Sequence, residues 1–387
     1  MVEIERILSL DLPERKSAFL WGPRKTGKTT YLKSRFPRSI RYDFLRTDLF
    51  VEYSKNPARL REELLALEAS RREHPVILDE VQKVPQILDE VQWLIEEKKF
   101  NFILCGSSTR KLKRGQANLL GGRAWRYELF PLVTAEVKNF NLLRALNHGL
   151  IPAHYLEANY RKSLAAYVQD YLKEEVFAEG LTRNFRAFSK FFDSVGYSHG
   201  ELVNYANIAR DCAIDSKTVK EYYQILVDTL LGTFVSPFKK RQSRQVITKA
   251  SKFYLFDVGV AGAITKRHLE DERGEQFGRA LEHLILMELV AHRSYREVDY
   301  EINFWRTKFG QEVDFVLGSG EVAIEVKGSG RVDQTDLRHM KAFIEEYEPK
   351  RAIVVCTEPT ERMHETIRVM PWNRFLSDLW EGRIIGK

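Results

Sequence analysis

The sequence predicts an α/β fold that begins with a parallel sheet flanked by helices. The first observation is the apolar run 17–21, which leads into a glycine-rich segment. The second is the apolar run 75–78, which ends in the carboxylates Asp79 and Glu80, and the third is the run 100–105 before a Gly-Ser-Ser sequence. Strands buried on both faces of a parallel sheet have this apolar character, and ligands bind at their carboxyl ends.

Composition limits the classes of protein to which the chain can belong. Its 387 residues are enough for two or three domains, and a hydrophobic content of 44% excludes a disordered chain. No apolar run approaches the length of a membrane span and the charged start does not resemble a signal peptide, so we expect a cytoplasmic protein without a membrane partner. The net charge of +7 favours a nucleic-acid partner. Three cysteines without metal-binding spacing are expected to be buried and apolar: Cys105, Cys212 and Cys356.

The glycine-rich segment fits the pattern G-x-x-x-x-G-K-[ST] of a P-loop, with a predicted strand before it and a predicted helix after it. In such a loop the backbone N–H groups and the helix N-terminus bind phosphate oxygens. Lys28 would reach the β- and γ-phosphates, and Thr29 would place its hydroxyl on Mg²⁺. The alternative is a glycine turn before a basic helix. The predicted nucleotide-binding residues are Gly22, Pro23, Arg24, Lys25, Thr26, Gly27, Lys28, Thr29 and Thr30.

The two carboxylates after the second apolar run complement the P-loop. Asp79 would hold Mg²⁺ through water, and Glu80 would activate the attacking water as a general base. Taken alone, the pair fits a solvated strand end better than a catalytic site. Its distance of about 50 residues from the P-loop suits a βαβ arrangement, which favours the catalytic interpretation.

These elements resemble the AAA-type ATPases of archaea and bacteria that carry a C-terminal region of largely unassigned role. The likeness rests on Gly-Pro-Arg in the P-loop, on Leu-Asp-Glu-Val-Gln at residues 78–82, and on Gly-Ser-Ser followed later by Gly-Arg. It covers residues 1–140, and a strand that ends in Asp and Gly at 252–259 continues it. Lys25-Thr26 departs from the family, in which glutamine and a small residue are more usual. The resemblance implies Mg²⁺-dependent ATP hydrolysis by a domain spanning 1–140.

Two further roles follow from this resemblance. Ser107 would lie at the sensor position between the γ-phosphate and the catalytic water, although a serine here could equally cap a following helix. Arg123 or Arg126 could act as an arginine finger on the nucleotide of a neighbouring subunit, which requires a homo-oligomer. The alternative for either arginine is a surface or structural ion pair.

The middle of the chain predicts a helical lid or connector at 141–195 and a winged helix at 196–262. The winged helix is predicted from the order of its elements. A short helix at 202–210 and a turn are followed by a second helix that Ser216 would cap, and then by the strands 231–238 and 252–256. The loop from Lys239 to Lys252 is basic and contains no acid, as expected of a phosphate contact. A winged helix can instead serve packing or subunit contact. We favour nucleic acid, and DNA in particular, as the partner.

The last segment, 263–387, resembles restriction-endonuclease-like enzymes of the PD-(D/E)xK type. Asp314, Glu325 and Lys327 match the D…E-x-K layout on predicted strands, and Glu282 lies at the position of the helical acid. The resemblance implies that Glu282, Asp314 and Glu325 bind Mg²⁺, and that Lys327 positions the nucleophile. The alternative is a structural ion network without cleavage.

The sequence therefore predicts a Mg²⁺-dependent ATPase that binds nucleic acid through a winged helix and a basic loop, coupled to a nuclease domain. The alternative is a nucleotide-gated DNA-binding switch or scaffold whose nuclease-like domain is inactive. A protein-remodelling ATPase is a third hypothesis that no sequence feature favours.

Overall fold

The computed structural model describes residues 4–12, 16–68, 72–108, 120–172, 185–239 and 250–386. The chain divides into two compact units. The first unit comprises Leu8–Pro131 and Asp228–Leu231, and the second comprises Met1–Ile7, Leu132–Val227 and Gly232–Lys387. Three of the four segments predicted from sequence lie largely in the second unit.

The first unit contains a five-stranded parallel sheet with the order β2-β3-β4-β1-β5. Its strands are β1 Ser17–Trp21, β2 Arg41–Asp43, β3 Val76–Asp79, β4 Phe102–Gly106 and β5 Ala124–Glu128. Its helices are α1 Lys28–Arg35, α2 Thr47–Lys55, α3 Ala58–Leu65 and α4 Ile87–Lys98. Every residue of β1, β3 and β4 is buried, which confirms the parallel sheet that the apolar runs predicted.

Strand order determines which loops of this unit meet. β1 lies beside β4, and β4 lies beside β3, with Trp21 opposite Gly106 and Asp79 opposite Cys105. The carboxyl ends of these strands therefore form one edge of the sheet. Helix α4 packs its apolar stripe, which includes Val91 and Leu94, into the core below that edge.

The second unit contains an eight-stranded mixed sheet with the order β12-β13-β11-β10-β9-β8-β6-β7. Its strands are β6 Gly232–Pro237, β7 Lys252–Leu255, β8 Ile302–Arg306, β9 Glu312–Leu317, β10 Val322–Val326, β11 Arg351–Cys356, β12 Arg362–His364 and β13 Ile367–Pro371.

The second unit also contains helices, and the 22-residue helix Gly274–Tyr295 contributes a large share of the core. In the described part of the chain they are α5 Leu142–His148, α6 Pro152–Tyr155, α7 Tyr160–Ala166, α8 Phe185–Tyr197, α9 Tyr205–Cys212, α10 Ser216–Asp228, α11 Val258–Ile264, α12 Gly274–Tyr295, α13 Arg338–Tyr347 and α14 Trp372–Trp380. A π-helical turn at Tyr167–Leu172 follows α7.

The helix pair α9–α10 and the antiparallel hairpin β6–β7 occur where the winged helix was predicted. The hairpin also joins the C-terminal sheet, because β6 pairs in parallel with β8 through Ser236 and Asn303. Ser216 does not cap α10 as predicted. Asp215 does so instead, because its Oδ1 accepts the backbone N–H groups of Lys217 at 2.9 Å and Thr218 at 3.0 Å.

Two compositional expectations can be compared with the structure. Cys105, Cys212 and Cys356 are free and buried, as predicted. Among the described helices, none combines the length and the apolar character that crossing a membrane requires.

Candidate active site

The glycine-rich loop connects β1, which ends at Trp21, to α1, which begins at Lys28. Gly27 has a φ of 95°, a left-handed conformation that glycine adopts without strain. A Cβ atom at Gly22 would lie 2.4 Å from the carbonyl oxygen of Leu129, so a larger residue does not fit there. The tight backbone predicted for a phosphate-binding loop is therefore present.

Two side chains of the loop bond to its own backbone. The Nζ atom of Lys28 donates to the carbonyl oxygens of Gly22 at 2.7 Å and Pro23 at 3.0 Å, and the side chain is only 5% exposed. The hydroxyl of Thr26 donates to the same Pro23 oxygen at 2.8 Å. The ammonium group therefore lies within the loop and bonds to its backbone carbonyl oxygens.

Thr29 meets the strand that carries the two carboxylates. Its Oγ1 atom donates to Oδ2 of Asp79 at 2.6 Å, while Oδ1 of Asp79 accepts the backbone N–H of Glu80 at 3.1 Å. A threonine hydroxyl beside a carboxylate offers the oxygen ligands that Mg²⁺ prefers. Thr29 and Thr30 are both exposed, whereas Asp79 is buried.

Glu80 lies in a left-handed backbone conformation, with φ 56° and ψ 43°, and its side chain is buried. This conformation is uncommon for glutamate and occurs often at functional sites. The carboxylate accepts a hydrogen bond from Nε2 of Gln82 at 2.6 Å, and Nη2 of Arg24 lies 3.8 Å from it.

Gln82 connects the predicted base to the predicted sensor. Besides Glu80, its Nε2 atom donates to Oγ of Ser107 at 3.2 Å. Gln82 is buried, and a Cβ atom placed on Gly106 would lie 2.4 Å from its Oε1 atom. The sequence contained Gln82 within the Leu-Asp-Glu-Val-Gln run but gave no sign of this bridging role.

Of the arginines considered as fingers, Arg123 directly precedes β5 and Arg126 is its central residue. Arg123 pairs with Glu96 of α4 at 2.6 Å and also donates to the carbonyl oxygen of Gly121. Within this chain it is therefore an ion-pair residue, and its action on a second subunit stays a prediction. Arg126 is exposed. The segment 109–119, where Ser107 or Ser108 could have capped a helix, lies outside the described residues.

The loop and the strand ends fit the ATP and Mg²⁺ that the sequence resemblance implied. The loop has no room for a side chain at Gly22, and the buried ammonium of Lys28 is a donor suited to phosphate. The pair Thr29–Asp79 supplies oxygen ligands suited to a metal ion. Glu80 adds a carboxylate at the same edge of the sheet.

The second unit brings together the four residues predicted as a nuclease site. Glu282 lies on α12, Asp314 on β9 and Glu325 on β10, and Lys327 follows β10 directly. Oδ2 of Asp314 accepts the backbone N–H of Val326 at 2.8 Å. Nζ of Lys327 lies 2.8 Å from Oε1 of Glu325.

Burial raises the pKa of Glu282, of Asp314 and of Glu325 to about 7 in each case. The negative charge of Glu325 adds to the rise at Asp314, and that of Asp314 adds to the rise at Glu282. Lys327 acts in the opposite direction on the pKa of Glu325. These mutual effects show that the three carboxyl groups form one cluster.

The position of Lys252 contradicts its predicted role as a phosphate contact. It was counted with the basic loop as a phosphate contact, but the structure buries it in this cluster, with its Nζ atom 2.5 Å from Oε1 of Glu312 and 3.7 Å from Oε1 of Glu282. The hydroxyl of Tyr254 donates to the same Glu282 oxygen at 2.5 Å. Most of the basic loop, 240–249, lies outside the described residues.

The cluster does not fit the metal that the endonuclease resemblance implied. Within the described ranges, no three His, Cys, Asp or Glu side chains are arranged to hold a metal ion. One oxygen of each carboxylate instead faces an ammonium, a tyrosine hydroxyl or a backbone N–H, whereas, among the described residues, Oε2 of Glu325 is buried without a hydrogen-bond partner. Sequence spacing could not reveal this, because Lys252 and Tyr254 come from a hairpin distant along the chain.

Comparisons with protein families divide the chain into three parts. The profile of an AAA domain matches residues 14–138. Two domains of unknown function match the rest, DUF8612 at residues 139–271 and DUF4143 at residues 277–375.

Relatives exist in bacteria and archaea. Uncharacterized proteins of Mycobacterium bovis and Mycobacterium tuberculosis are each 23% identical over 372 residues, which covers 92% of this chain and 80% of theirs. An uncharacterized protein of Methanocaldococcus jannaschii is 24% identical over 84% of this chain and 77% of its own.

A solved structure, that of the Aeropyrum pernix ORC1 protein in complex with DNA, is similar at 12% identity over 65% of this chain and 86% of that chain. Its TM-score is 0.25, and a similarity of this degree supports no conclusion about the present fold. The family profile and the P-loop geometry agree with each other, so residues 14–138 are an AAA-type P-loop domain.

Proposed function

We propose that the AAA-type domain binds ATP with Mg²⁺ and hydrolyses it. The observation that carries this proposal is the hydrogen bond of 2.6 Å between Thr29 and Asp79, which joins the phosphate-binding loop to the carboxylates. Lys28 and Glu80 lie at the same edge of the sheet, so groups suited to phosphate, metal and water are adjacent.

Each residue has a role in this proposal. Lys28 would exchange the carbonyl oxygens of Gly22 and Pro23 for phosphate oxygens, and Thr29 and Asp79 would hold the metal ion, which neutralises phosphate charge. Glu80 would accept a proton from the attacking water. Gln82 would hold the carboxylate of Glu80 in position through its hydrogen bond of 2.6 Å.

The test is phosphate release by the full chain, with and without Mg²⁺, for the wild type and for Thr29→Ala. We expect Mg²⁺-dependent release in the wild type and a loss of at least about tenfold in the variant, because a metal ligand is removed. Thr47→Ala, at an exposed position at the start of α2, is the matched control. Equal release by Thr29→Ala and the wild type would refute the metal role of Thr29.

We further propose that the second unit binds nucleic acid, with DNA as the favoured partner. The helix pair α9–α10 presents Lys217, Lys220 and Gln224 as exposed residues on α10, and the net charge of the chain is +7. Exposed basic residues on the second helix of such a pair suit contact with phosphates and base edges.

The basic loop provides the test of this partner. A variant that neutralises Lys239, Lys240, Arg241, Arg244 and Lys249, but keeps the buried Lys252, should bind duplex DNA more weakly. The dependence of log affinity on log salt should also become shallower by about 0.9 for each phosphate that the protein no longer neutralises. Unchanged affinity and slope, measured by fluorescence anisotropy, would exclude the loop as the DNA-binding element.

Two functions remain for the acidic cluster, namely nuclease activity and a switch or scaffold without cleavage. Lys252 already pairs with carboxylates of the cluster, which favours a switch or scaffold without cleavage. The deciding experiment incubates plasmid and single-stranded DNA with the wild type and Asp314→Ala, with Mg²⁺ or Mn²⁺, with and without ATP. Cleavage that Asp314→Ala abolishes would establish the nuclease, and no cleavage by either protein with ATPase activity intact would support the switch.

A further inference from the structure

We propose that Lys252 is the built-in cation of the acidic cluster, and that its ammonium group neutralises Glu282 and Glu312 in place of a divalent metal ion. The carboxylates are then held together without a metal. This inference concerns the second unit and does not depend on ATP hydrolysis by the first.

The position of Lys252 supports this role. The residue is 5% exposed, so its charge is compensated by neighbouring groups and not by bulk water. Its Nζ atom lies 2.5 Å from Glu312 and 3.7 Å from Glu282, and 5.5 Å from the centre of the Phe304 ring. An ammonium group so placed has carboxylates on one side and an aromatic ring within cation–π distance.

The charges of the cluster are nearly balanced by its own side chains. Lys252 pairs with Oε1 of Glu312 and lies beside Oε1 of Glu282. Lys327 pairs with Glu325, and Arg306 lies 3.2 Å from the second oxygen of Glu312. A divalent ion would therefore have to displace Lys252 before it could use Oε1 of Glu282 or Oε1 of Glu312.

Lys252 and the carboxylates around it come from two different matched regions of the chain. Lys252 begins β7, within the region that matches DUF8612, whereas Glu282, Glu312 and Asp314 belong to the region that matches DUF4143. Neither matched region contains both the acids and the ammonium group. The cluster is complete only when the hairpin β6–β7 packs against α12 and β9.

The test measures thermal stability and Mn²⁺ binding of the full chain for the wild type and Lys252→Met. We expect Mn²⁺ to shift the melting temperature of the wild type no more than that of Asp314→Asn, since any shift then comes from the P-loop and not from the cluster. Without metal, Lys252→Met should melt lower by on the order of 5 °C or more, because Glu282 and Glu312 lose their counter-charge. Mn²⁺ should restore the melting temperature of the variant and should bind to it at least about tenfold more tightly than to the wild type.

Three further variants assign the effect to the cluster. Lys341→Met removes a partly exposed lysine that pairs with Glu365 at 2.8 Å. It should change neither the melting temperature nor the affinity for Mn²⁺. Adding Asp314→Asn to Lys252→Met should abolish the gained Mn²⁺ affinity, which separates it from binding at the P-loop. Lys252→Arg keeps the charge and should behave as the wild type.

A variant that cannot fold is also informative. If Lys252→Met is recovered only as unfolded protein, Lys252→Met with Glu312→Gln removes one charge of each sign and should fold again. The proposal is overturned if the wild type binds Mn²⁺ at the cluster as tightly as Lys252→Met does. It is also overturned if Lys252→Met melts at the wild-type temperature, or if the double variant stays unfolded while Lys252→Arg folds.

Discussion

Thr29 donates a hydrogen bond to Asp79 over 2.6 Å, although 50 positions separate the two residues in sequence. The hydrogen bond exists because β1, β4 and β3 are neighbours in a parallel sheet, so that the loop after β1 and the end of β3 reach the same edge. The proposed ATPase site is therefore assembled by strand order, and each of its residues can be tested separately.

Lys28→Ala should abolish ATP hydrolysis, with turnover reduced at least about a hundredfold, because a preorganised positive charge on the phosphates is removed. The loop also loses the two hydrogen bonds to Gly22 and Pro23, so folding must be checked by circular dichroism. Lys33→Ala changes an exposed lysine of the same helix and should retain full activity. Unchanged turnover in Lys28→Ala would refute the site.

Glu80→Gln should bind ATP as the wild type does but hydrolyse it about a hundred- to ten-thousandfold more slowly, because an amide cannot accept the proton of the attacking water. Binding is measured with a fluorescent ATP analogue and turnover by phosphate release. Loss of binding together with turnover would contradict the assignment of Glu80 as the base.

Gln82→Ala should lower kcat about tenfold or more while leaving KM for ATP nearly unchanged, because Glu80 loses the hydrogen bond that orients it. The same change removes the hydrogen bond that Gln82 donates to the hydroxyl of Ser107. Steady-state kinetics separate the two constants. A rise in KM with constant kcat would show that Gln82 supports nucleotide binding and not the position of the base.

Glu288 gives a prediction for the stability of the second unit. Its carboxylate accepts hydrogen bonds from the backbone N–H and hydroxyl of Thr134, at 2.7 Å and 3.0 Å, and from the indole N–H of Trp380 at 2.6 Å. Burial raises the pKa of this carboxyl group to about 7, against an ordinary value of 4.5, although the three donors act in the opposite direction.

The folded protein therefore keeps this proton up to about pH 7, whereas the unfolded chain releases it near pH 4.5. Because the unfolded state binds fewer protons between these values, the free energy of unfolding falls as the pH rises through that window. Glu288→Gln should lose this contribution, which amounts to at most about 3 kcal/mol. Urea unfolding at pH 4.5 and 7.5 measures the difference, with the exposed Glu301→Gln as control. Parallel pH profiles for wild type and Glu288→Gln would exclude a raised pKa at Glu288.

Local pattern predicted much of the first unit. The strands expected at 17–21, 75–80 and 100–105 are β1, β3 and β4, because a strand buried on both faces must be apolar throughout. Helix α2 was not predicted, since its core-facing residues Leu49 and Tyr53 are interspersed with the exposed apolar residues Phe50 and Val51, which obscure the helical spacing. The cap of α10 was assigned to Ser216 when Asp215 accepts the hydrogen bonds, a shift of one position that spacing cannot resolve.

The sequence by itself determined the phosphate-binding loop, because its glycines, Lys28 and Thr29 act through backbone conformation and contacts within a few residues of one another. It also determined which carboxylates end the buried strands. Tertiary structure alone decided that Gln82 bridges Glu80 to Ser107. It likewise decided that Lys252 faces Glu282 and Glu312 and not solvent. The reason is physical: the charge of a buried lysine is balanced by whichever side chains packing brings to it, and residues distant along the chain supply them.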